Sequence, residues 1–287
     1  MAKDTFFSKK QTLNIGGRLI VPNYPLVMAI INVTPDSFYT QSRAQNELEL
    51  ISCVEKAIYE GASIIDIGAY SSRPNALDID IDEEKKRLSL ALNIVKNKFP
   101  NIWVSVDTFR SEVVRWAYND FGISLVNDIS GGLADERMFR TIVDLNIPYI
   151  LMHMRGTSQN MQSMCNYENV TKDVIFELSR QFEKAKIEGV SDLIIDPGFG
   201  FSKNMEQNYE LLKNLSAFKC FERPIMVGIS RKSMIWKLLE SSPDNALNGS
   251  TVLNTIALLN GADIIRVHDV KEAIEAIKLV SKFHNAN

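Results

Sequence analysis

Eight short apolar runs alternate along this chain with segments of helical periodicity, and this alternation constrains the fold more than any other feature. The runs are rich in Val, Ile and Leu, as expected of parallel strands that are buried on both faces. They are Leu26–Ile31, Ile64–Ile65 continuing to Ile67, Val104–Val106, Leu125–Val126, Tyr149–Met152, Leu193–Ile195, Ile225–Val227 and Ile264–Val267, the last interrupted by Arg266.

Between the runs, apolar residues recur at spacings of three or four and often stop at a glycine, as in amphipathic helices. Two such sets are Leu48, Ile51, Val54 and Ile58 before Gly61, and Val252, Ile256 and Leu259 before Gly261. Eight strands, each followed by a helix, predict a (β/α)8 TIM barrel. A doubly wound open sheet is the alternative, but it often carries a Gly-x-Gly-x-x-Gly first turn, which this chain lacks.

The segment before the first barrel strand has a separate pattern. Residues 12–20 place a Gly16-Gly17 pair between two short apolar stretches, which predicts a small β-hairpin. We therefore expect an N-terminal extension over residues 1–25 and a single barrel over residues 26–287.

Composition excludes several classes of protein. Lys and Arg total 32 and Asp and Glu total 35, a near-balance that argues against a nucleic-acid partner. No apolar run reaches the roughly 20 residues of a membrane span. The three cysteines are far apart and odd in number, which indicates free thiols in a reducing compartment. The charged first ten residues do not read as a secretory signal, so we expect a cytoplasmic protein.

Polar side chains follow nearly every predicted strand, where the active sites of barrel enzymes lie. Any one of them is explained by turn formation, but eight that converge on one rim indicate a binding site. The strand-end residues are Asn32, Asp66, Asp107, Asn127-Asp128, Met152-His153, Asp196, Gly228 with Ser230-Arg231-Lys232, and Arg266 with His268.

The chemistry of these side chains falls into two groups. One group suits a phosphate or pyrophosphate, and it comprises Asn32, Arg73, Lys232, Arg266 and His268. The other group, Asp107, Asn127 and Asp196, suits the N–H edge of a flat heterocycle. We therefore predict a ring-shaped ligand with an anionic tail.

Other catalytic motifs are weak or absent. The glycines of residues 198–203 fit neither a Walker nor a Rossmann spacing. There is no Gly-x-Ser-x-Gly elbow, and the three histidines lack zinc-site spacing. Lys232 is a possible Schiff-base lysine, although the adjacent Arg231 favours an anion site instead.

Nine motifs, in order over about residues 26–270, resemble the dihydropteroate synthase family. They are Ile31–Phe38 (INVTPDSF), Asp66–Gly68 (DIG), Ser71–Pro74 (SSRP), Ser105–Thr108 (SVDT), Val126–Gly132 (VNDISGG), Leu151–Met154 (LMHM), Asp196–Phe201 (DPGFGF), Gly228–Ser233 (GISRKS) and Arg266–Val270 (RVHDV).

The resemblance implies a (β/α)8 barrel enzyme, a transferase of folate biosynthesis. Such enzymes join 6-hydroxymethyl-7,8-dihydropterin pyrophosphate to p-aminobenzoate, require magnesium, and release 7,8-dihydropteroate and pyrophosphate. It further implies a homodimer, and a p-aminobenzoate site at which sulfonamides compete.

The resemblance also implies residue roles. Asp107, Asn127, Asp196 and Lys232 hold the pterin, with Met152 against its ring. Asn32 meets a magnesium ion that the pyrophosphate mainly holds. Ser72, Arg73, Arg266 and His268 bind the pyrophosphate, whereas Phe38, Pro74 and Ser233 border p-aminobenzoate. Asp107, Lys232, Arg73 and His268 are the expected catalytic residues.

Two loops depart from the family pattern: Thr40 stands where an acidic residue is usual, and Tyr70 replaces a glutamate. These loops serve the second substrate, so a pterin-binding paralogue without catalysis is one alternative. A pterin-dependent methyltransferase is the other, although it has no need of residues 72–74 or 230–233.

Overall fold

The computed structural model describes residues 12–15, 17–21, 25–33, 43–70 and 79–286, with the backbone alone for 43–46. Two strands form an antiparallel hairpin: β1 (Leu13–Ile15) and β2 (Arg18–Ile20). Eight parallel strands form the barrel: β3 (Leu26–Asn32), β4 (Ile64–Gly68), β5 (Trp103–Asp107), β6 (Leu125–Asp128), β7 (Tyr149–Met152), β8 (Leu193–Asp196), β9 (Met226–Val227) and β10 (Ile264–Val267).

Each barrel strand is followed by at least one helix, as the sequence predicts. The described helices are α1 (Arg43–Glu60), α2 (Ile81–Lys98), α3 (Ser111–Phe121), α4 (Met138–Leu145), α5 (Val170–Glu188), α6 (Met205–Lys213), α7 (Ser233–Trp236), α8 (Leu247–Leu259) and α9 (Val270–His284). Short 3-10 turns lie at Met161–Ser163, Leu215–Phe221 and Pro243–Asn245.

The sheet closes on itself between β8 and β9. Neighbouring strands pair in the order β8-β7-β6-β5-β4-β3-β10-β9. The two ends meet through a parallel bridge between Ile195 and Ile225, and the Ile195 N–H donates to the Pro224 carbonyl at 2.8 Å. The open-sheet alternative is therefore wrong.

Alternation along the strands separates two apolar layers. Outward residues pack between the sheet and the helices. Inward residues near the strands' starts form a second cluster: Met28, Ile64, Leu125, Ile150, Ile194, Met226 and Ile264. Leu13 and Ile15 of the hairpin are buried against this second cluster, and the Asn14 N–H donates to Asp192 Oδ2 at 2.9 Å. The hairpin thus packs on the N-terminal end of the barrel; the boundary at residues 25 and 26 stays a prediction.

Helix α8 is apolar on two faces. Its buried residues include Leu253, Ala257 and Leu258. Val252, Ile256 and Leu259, whose spacing indicated the helix, are instead 49%, 37% and 45% exposed.

Asp128, at the end of β6, is a loop anchor rather than a pocket residue. Its carboxylate accepts the Ser130 N–H and hydroxyl, both at 2.7 Å, the Gly132 N–H at 3.1 Å and the Tyr149 hydroxyl at 2.6 Å. Burial raises the pKa of Asp128, and these hydrogen bonds oppose the rise. The four bonds fix the loop that follows β6.

Removing the Tyr149 hydroxyl tests this anchor. Tyr149→Phe keeps the buried ring but deprives Asp128 of one donor, so we expect the free energy of unfolding to fall by about 1–3 kcal/mol. Urea denaturation measures the change. Tyr59→Phe, at a side chain 92% exposed, is the matched control and should stay within about 0.5 kcal/mol of the original; equal effects at the two sites would contradict the anchor.

Candidate active site

The inward faces of the strands change from apolar to polar toward their C-terminal ends. Two residues beyond the floor residues Ile64, Leu125, Ile194 and Ile264 stand Asp66, Asn127, Asp196 and Arg266. Because side chains on a strand alternate with a period of two, this second set points into the barrel above the first. The strand register alone therefore gathers a charged layer at the barrel mouth.

Arg266 holds this layer together. Its Nε donates to Asp66 Oδ2 at 2.6 Å, and its Nη2 donates to Asp107 Oδ2 at 2.7 Å. Asp66 is fully buried. Burial raises the pKa of Asp107 to about 7; Arg266 opposes this rise and Asp66 adds to it. One guanidinium thus serves two carboxylates that would otherwise repel each other.

Several buried polar atoms beside this ion pair have no hydrogen-bond partner among the described residues. Asn127 Nδ2 donates to Asp66 Oδ2 at 3.0 Å, whereas Asn127 Oδ1 has no hydrogen-bond partner among the described residues. Asp66 Oδ1 and Ser105 Oγ are in the same state. Since an unpaired buried polar atom costs about 1–3 kcal/mol, such a group of atoms indicates a polar ligand.

Asp196 and Lys232 provide a second pair of opposite charges. Asp196 Oδ1 accepts the Gly198 N–H at 2.8 Å, and Lys232 Nζ donates to the Phe199 carbonyl. Burial lowers the pKa of Lys232 to about 8, whereas Asp196 acts to raise it. Burial raises the pKa of Asp196, and Lys232 opposes the rise. At neutral pH the Lys232 side chain is mostly charged, and the Asp196 carboxyl group lies close enough to interact with it.

Two glycines lie among these groups. At Gly68 a Cβ would lie 3.3 Å from Asp107 Cβ and 3.6 Å from Asn32 Oδ1, so the absence of a side chain eases a close approach. Gly228 is a neighbour of Arg266 and Lys232, because a Cβ there would make ordinary contacts of 3.8 Å with Arg266 Cβ and 4.0 Å with Lys232 Nζ. Side chains from β3, β5 and β10 and from the loop after β9 therefore meet in one pocket.

His268 and Met152 border the charged layer. His268 Nδ1 lies 3.1 Å from Ser230 Oγ. Burial, with the nearby Arg266, lowers the pKa of His268 to about 4, so its ring is neutral at pH 7. Met152 is buried in an apolar cluster with Ile129 and Phe201, and this cluster borders the pocket on one side.

The remaining candidate residues divide into two sets. Asn32 is exposed at the end of β3, and Ser233 is exposed as the first residue of α7. Phe38, Ser72, Arg73 and Pro74 lie outside the described residues, as does Thr40. Tyr70 packs edge-on against Phe109, with ring centroids 5.0 Å apart.

Comparison with known proteins identifies the pocket's family. The sequence profile described as "Pterin binding enzyme" matches residues 28–268. The chain belongs to the pterin-binding enzyme family.

Individual members of this family narrow the assignment. Dihydropteroate synthase of Escherichia coli (strain K12) is 38% identical over 260 residues, which cover 90% of this chain and 91% of that protein. The structure of Yersinia pestis dihydropteroate synthase with a sulfonamide drug has a TM-score of 0.88 at 35% identity and covers 96% of this chain and 100% of that one. Xanthomonas albilineans dihydropteroate synthase in complex with 7,8-dihydropteroate has a TM-score of 0.83 at 27% identity, with 96% and 99% covered.

The pterin-binding enzyme family, the (β/α)8 barrel and the class of enzyme predicted from the sequence are therefore confirmed: this chain is a transferase of the dihydropteroate synthase kind. The role of each site residue stays a prediction. Within the described residues, no helix is long and apolar enough to cross a membrane.

Sequence reasoning missed two pocket residues. The sequence marks Asp66 only as a strand end, whereas in the structure its Oδ2 accepts hydrogen bonds from both Arg266 and Asn127. The sequence marks Ser105 only as part of a motif. Both lie two residues beyond an inward apolar or aromatic position, so counting by twos from Ile64 and Trp103 would have found them.

Replacing Arg266 tests whether the two carboxylates depend on it. Arg266→Met leaves Asp66 and Asp107 without their shared cation, so we expect the free energy of unfolding to fall by about 3–5 kcal/mol at pH 8. Without Arg266 the pKa of Asp107 in the folded state rises further above its unfolded value. Stability is then regained as the pH falls, and the deficit at pH 5 should be smaller.

Urea denaturation at the two pH values measures both effects. Arg115→Met is the matched control, because Arg115 pairs with Asp144 at the surface at 3.0 Å and should contribute less than about 1 kcal/mol. If Arg266→Met lowered the free energy of unfolding no more than Arg115→Met does, the ion pair of Arg266 would not be needed to stabilise the pocket.

Proposed function

We propose that this chain condenses 6-hydroxymethyl-7,8-dihydropterin pyrophosphate with p-aminobenzoate to give 7,8-dihydropteroate and pyrophosphate. The observation that carries the proposal is that Asp107 and Lys232 join Asp196 and Arg266 of the charged layer at the mouth of a pterin-family barrel. It combines acceptors for the N–H edge of a pterin with cations for an anionic leaving group.

The pterin ring fits the floor of this layer. The free Oδ1 of Asn127 and the carboxylate of Asp196 accept N–H groups, Asp107 lies alongside, and the Lys232 ammonium donates to ring heteroatoms. Met152 and its apolar neighbours supply a flat face for the ring. These features support the pterin roles that the family resemblance implies for Asp107, Asn127, Met152, Asp196 and Lys232.

The pyrophosphate then lies toward the rim, where Ser72, Arg73, Arg266 and His268 are its proposed partners. Arg266 and Lys232 contribute positive charge, and His268 contributes a hydrogen-bonding ring nitrogen at the rim. Ser72 and Arg73 belong to residues 71–78, outside the described part of the chain. Phe38, Pro74 and Ser233 are proposed to border p-aminobenzoate.

The proposed reaction needs electrostatic stabilisation and no protein nucleophile. As the bond between carbon and pyrophosphate oxygen breaks, positive charge spreads into the pterin and negative charge grows on the leaving group. Asp107 and Asp196 face the cation, whereas Arg73, Arg266 and His268 face the anion. One such contact contributes about 3 kcal/mol to lowering a barrier. The amine of p-aminobenzoate attacks the carbon and then loses a proton.

Magnesium is proposed as the cofactor, with Asn32 as its protein ligand. Among the described residues there is no group of three acidic, histidine or cysteine side chains that would form a metal cage. An exposed amide at the end of β3 suits Mg²⁺ that substrate phosphates mainly hold. When bound, the ion neutralises charge on the departing pyrophosphate.

Turnover tests the proposed function directly. Purified protein, Mg²⁺ and both substrates should release pyrophosphate and form dihydropteroate in equal amounts, measured by chromatography. Omitting either substrate, or chelating Mg²⁺, should stop both products.

Two outcomes would contradict the proposal. Pterin binding without product, in folded protein, would identify a paralogue that has lost catalysis, with Thr40 and Tyr70 as the first suspects. Transfer of a methyl group from a methylated folate to a corrinoid would identify the methyltransferase alternative.

We also propose that the chain is a cytoplasmic homodimer. Val252, Ile256 and Leu259 on α8 are exposed apolar residues, as are Leu279 and Phe283 on α9, and these two helices pack against each other. Exposed apolar side chains on neighbouring helices are typical of an interface. The three free cysteines support a reducing compartment.

A charge placed on α8 tests the dimer. Ile256→Glu should convert the dimer to a monomer in size-exclusion chromatography with light scattering, because a carboxylate in the interface is desolvated. Leu48→Glu, at a residue 67% exposed on α1, is the control and should leave the mass unchanged. A monomeric parent protein, or a dimer that survives Ile256→Glu, would contradict the proposal.

A further inference from the structure

A second buried lysine, Lys203, lies behind the pocket and takes no part in the roles assigned above. Its side chain is almost fully buried. Its Nζ lies 2.9 Å from the Gly198 carbonyl, 3.0 Å from the Phe201 carbonyl and 3.0 Å from His153 Nδ1. Two of these partners belong to the loop that joins β8 to α6, and the third, His153, directly follows β7.

The protonation of His153 follows from its other neighbour. His153 Nε2 lies 3.0 Å from Glu177 Oε2. Burial acts to raise the pKa of Glu177, but hydrogen bonds from His153 and Arg155 bring it down to about 2, so the Glu177 carboxylate is charged. Burial lowers the pKa of His153 to about 4, so the ring is neutral. Nε2 therefore carries the proton and donates to Glu177, and Nδ1 accepts from Lys203.

Stability alone does not explain a cation at this position. Burying an ammonium group costs several kcal/mol before its partners compensate. Lys203 also directly precedes Asn204, the N-cap of α6, and a positive charge is disfavoured at a helix N-terminus. Burial lowers the pKa of Lys203 to about 7 even though Asp196 acts to raise it. What the Lys203 amino group does at this position is donate hydrogen bonds to three acceptors, the Gly198 and Phe201 carbonyls and His153 Nδ1.

The same loop is held from its other side by Lys232. Lys232 Nζ donates to the Phe199 carbonyl and lies 4.6 Å from the centroid of the Phe201 ring. The carbonyls of residues 198, 199 and 201 are thus bound by the side-chain amino groups of two different lysines. At Gly198, where φ is +73°, a Cβ would lie 1.9 Å from the His153 carbonyl oxygen, so the loop has no room to shift toward β7.

We propose that Lys203 is a positioning residue for the pterin site. It fixes the backbone of residues 198–201 so that the Phe199 carbonyl and the Phe201 ring place the Lys232 ammonium beside Asp196. Lys203 touches no substrate and acts through the loop and Lys232. This inference rests on the proposed function and adds to it a residue outside the pocket that determines pterin affinity.

Lys203→Met tests the inference, because methionine is also unbranched but carries no charge and no donor. Lys213→Met, at an exposed position at the end of α6, is the matched control. Without any ligand, backbone amides of residues 198–201 should exchange with deuterium at least tenfold faster in Lys203→Met, and at the parent rate in Lys213→Met. This readout does not depend on the proposed function.

Binding and turnover then show whether the loop positions Lys232. By calorimetry, the Kd for the dihydropterin pyrophosphate should rise at least tenfold in Lys203→Met, whereas KM for p-aminobenzoate should change less than twofold. In a protein that already carries Lys232→Met, adding Lys203→Met should alter the Kd less than twofold, because the lysine through which Lys203 acts is already absent.

The contrary results are distinct. An unchanged Kd with faster exchange would make Lys203 merely structural, and an equal loss in both backgrounds would show that it does not act through Lys232; either overturns the inference. A parent protein that fails to bind the pterin substrate would overturn the proposed function instead.

A second variant keeps the test decisive if Lys203→Met does not fold. Lys203→Arg retains the charge, but its planar guanidinium does not match the three acceptors, so the Kd should rise at least threefold. An unchanged Kd in Lys203→Arg with faster loop exchange would again overturn the inference.

Discussion

The site depends on the ion pair that Arg266 forms with Asp66 and Asp107 across the inside of the barrel. Two carboxyl groups in one cavity, one fully buried and one partly buried, lose hydration and repel each other when charged, and the guanidinium that they share offsets this cost. Because the bonds run from β10 to β4 and β5, the same contact joins strands far apart in the sequence. It therefore links the stability of the barrel to the electrostatics of the pocket.

The rest of the pocket repeats this arrangement of opposed charges. Asp196 faces Lys232, and behind them Lys203 and Glu177 lie on either side of the neutral His153 ring. A ligand that separates into a ring cation and a phosphate anion matches such a pattern, since each developing charge finds its opposite already in place.

The barrel and most of the pocket could be predicted because buried parallel strands leave an unmistakable apolar pattern and end at the site. The finer assignments needed coordinates. Asp66 can be assigned to the pocket only when the inward register of its strand is known. Helix α8 is apolar on two faces, and the spacing of apolar residues in the sequence picked out its exposed face. Lys203 could not be found by pattern, since its partners are backbone carbonyls and a histidine 50 residues away. The predicted seventh strand, Ile225–Val227, begins one residue before β9, because Ile225 pairs only as an isolated bridge.

The affinity of Asp196→Asn for the dihydropterin pyrophosphate is the most direct test of a pocket built on opposed charges. The amide replaces an acceptor with a donor and removes the partner of Lys232, so calorimetry should show a Kd at least tenfold higher. Asp192→Asn, just before the start of the same strand, bonds the hairpin at Asn14 and should bind the ligand as the parent does. Equal affinities for Asp196→Asn and the parent protein would contradict the account.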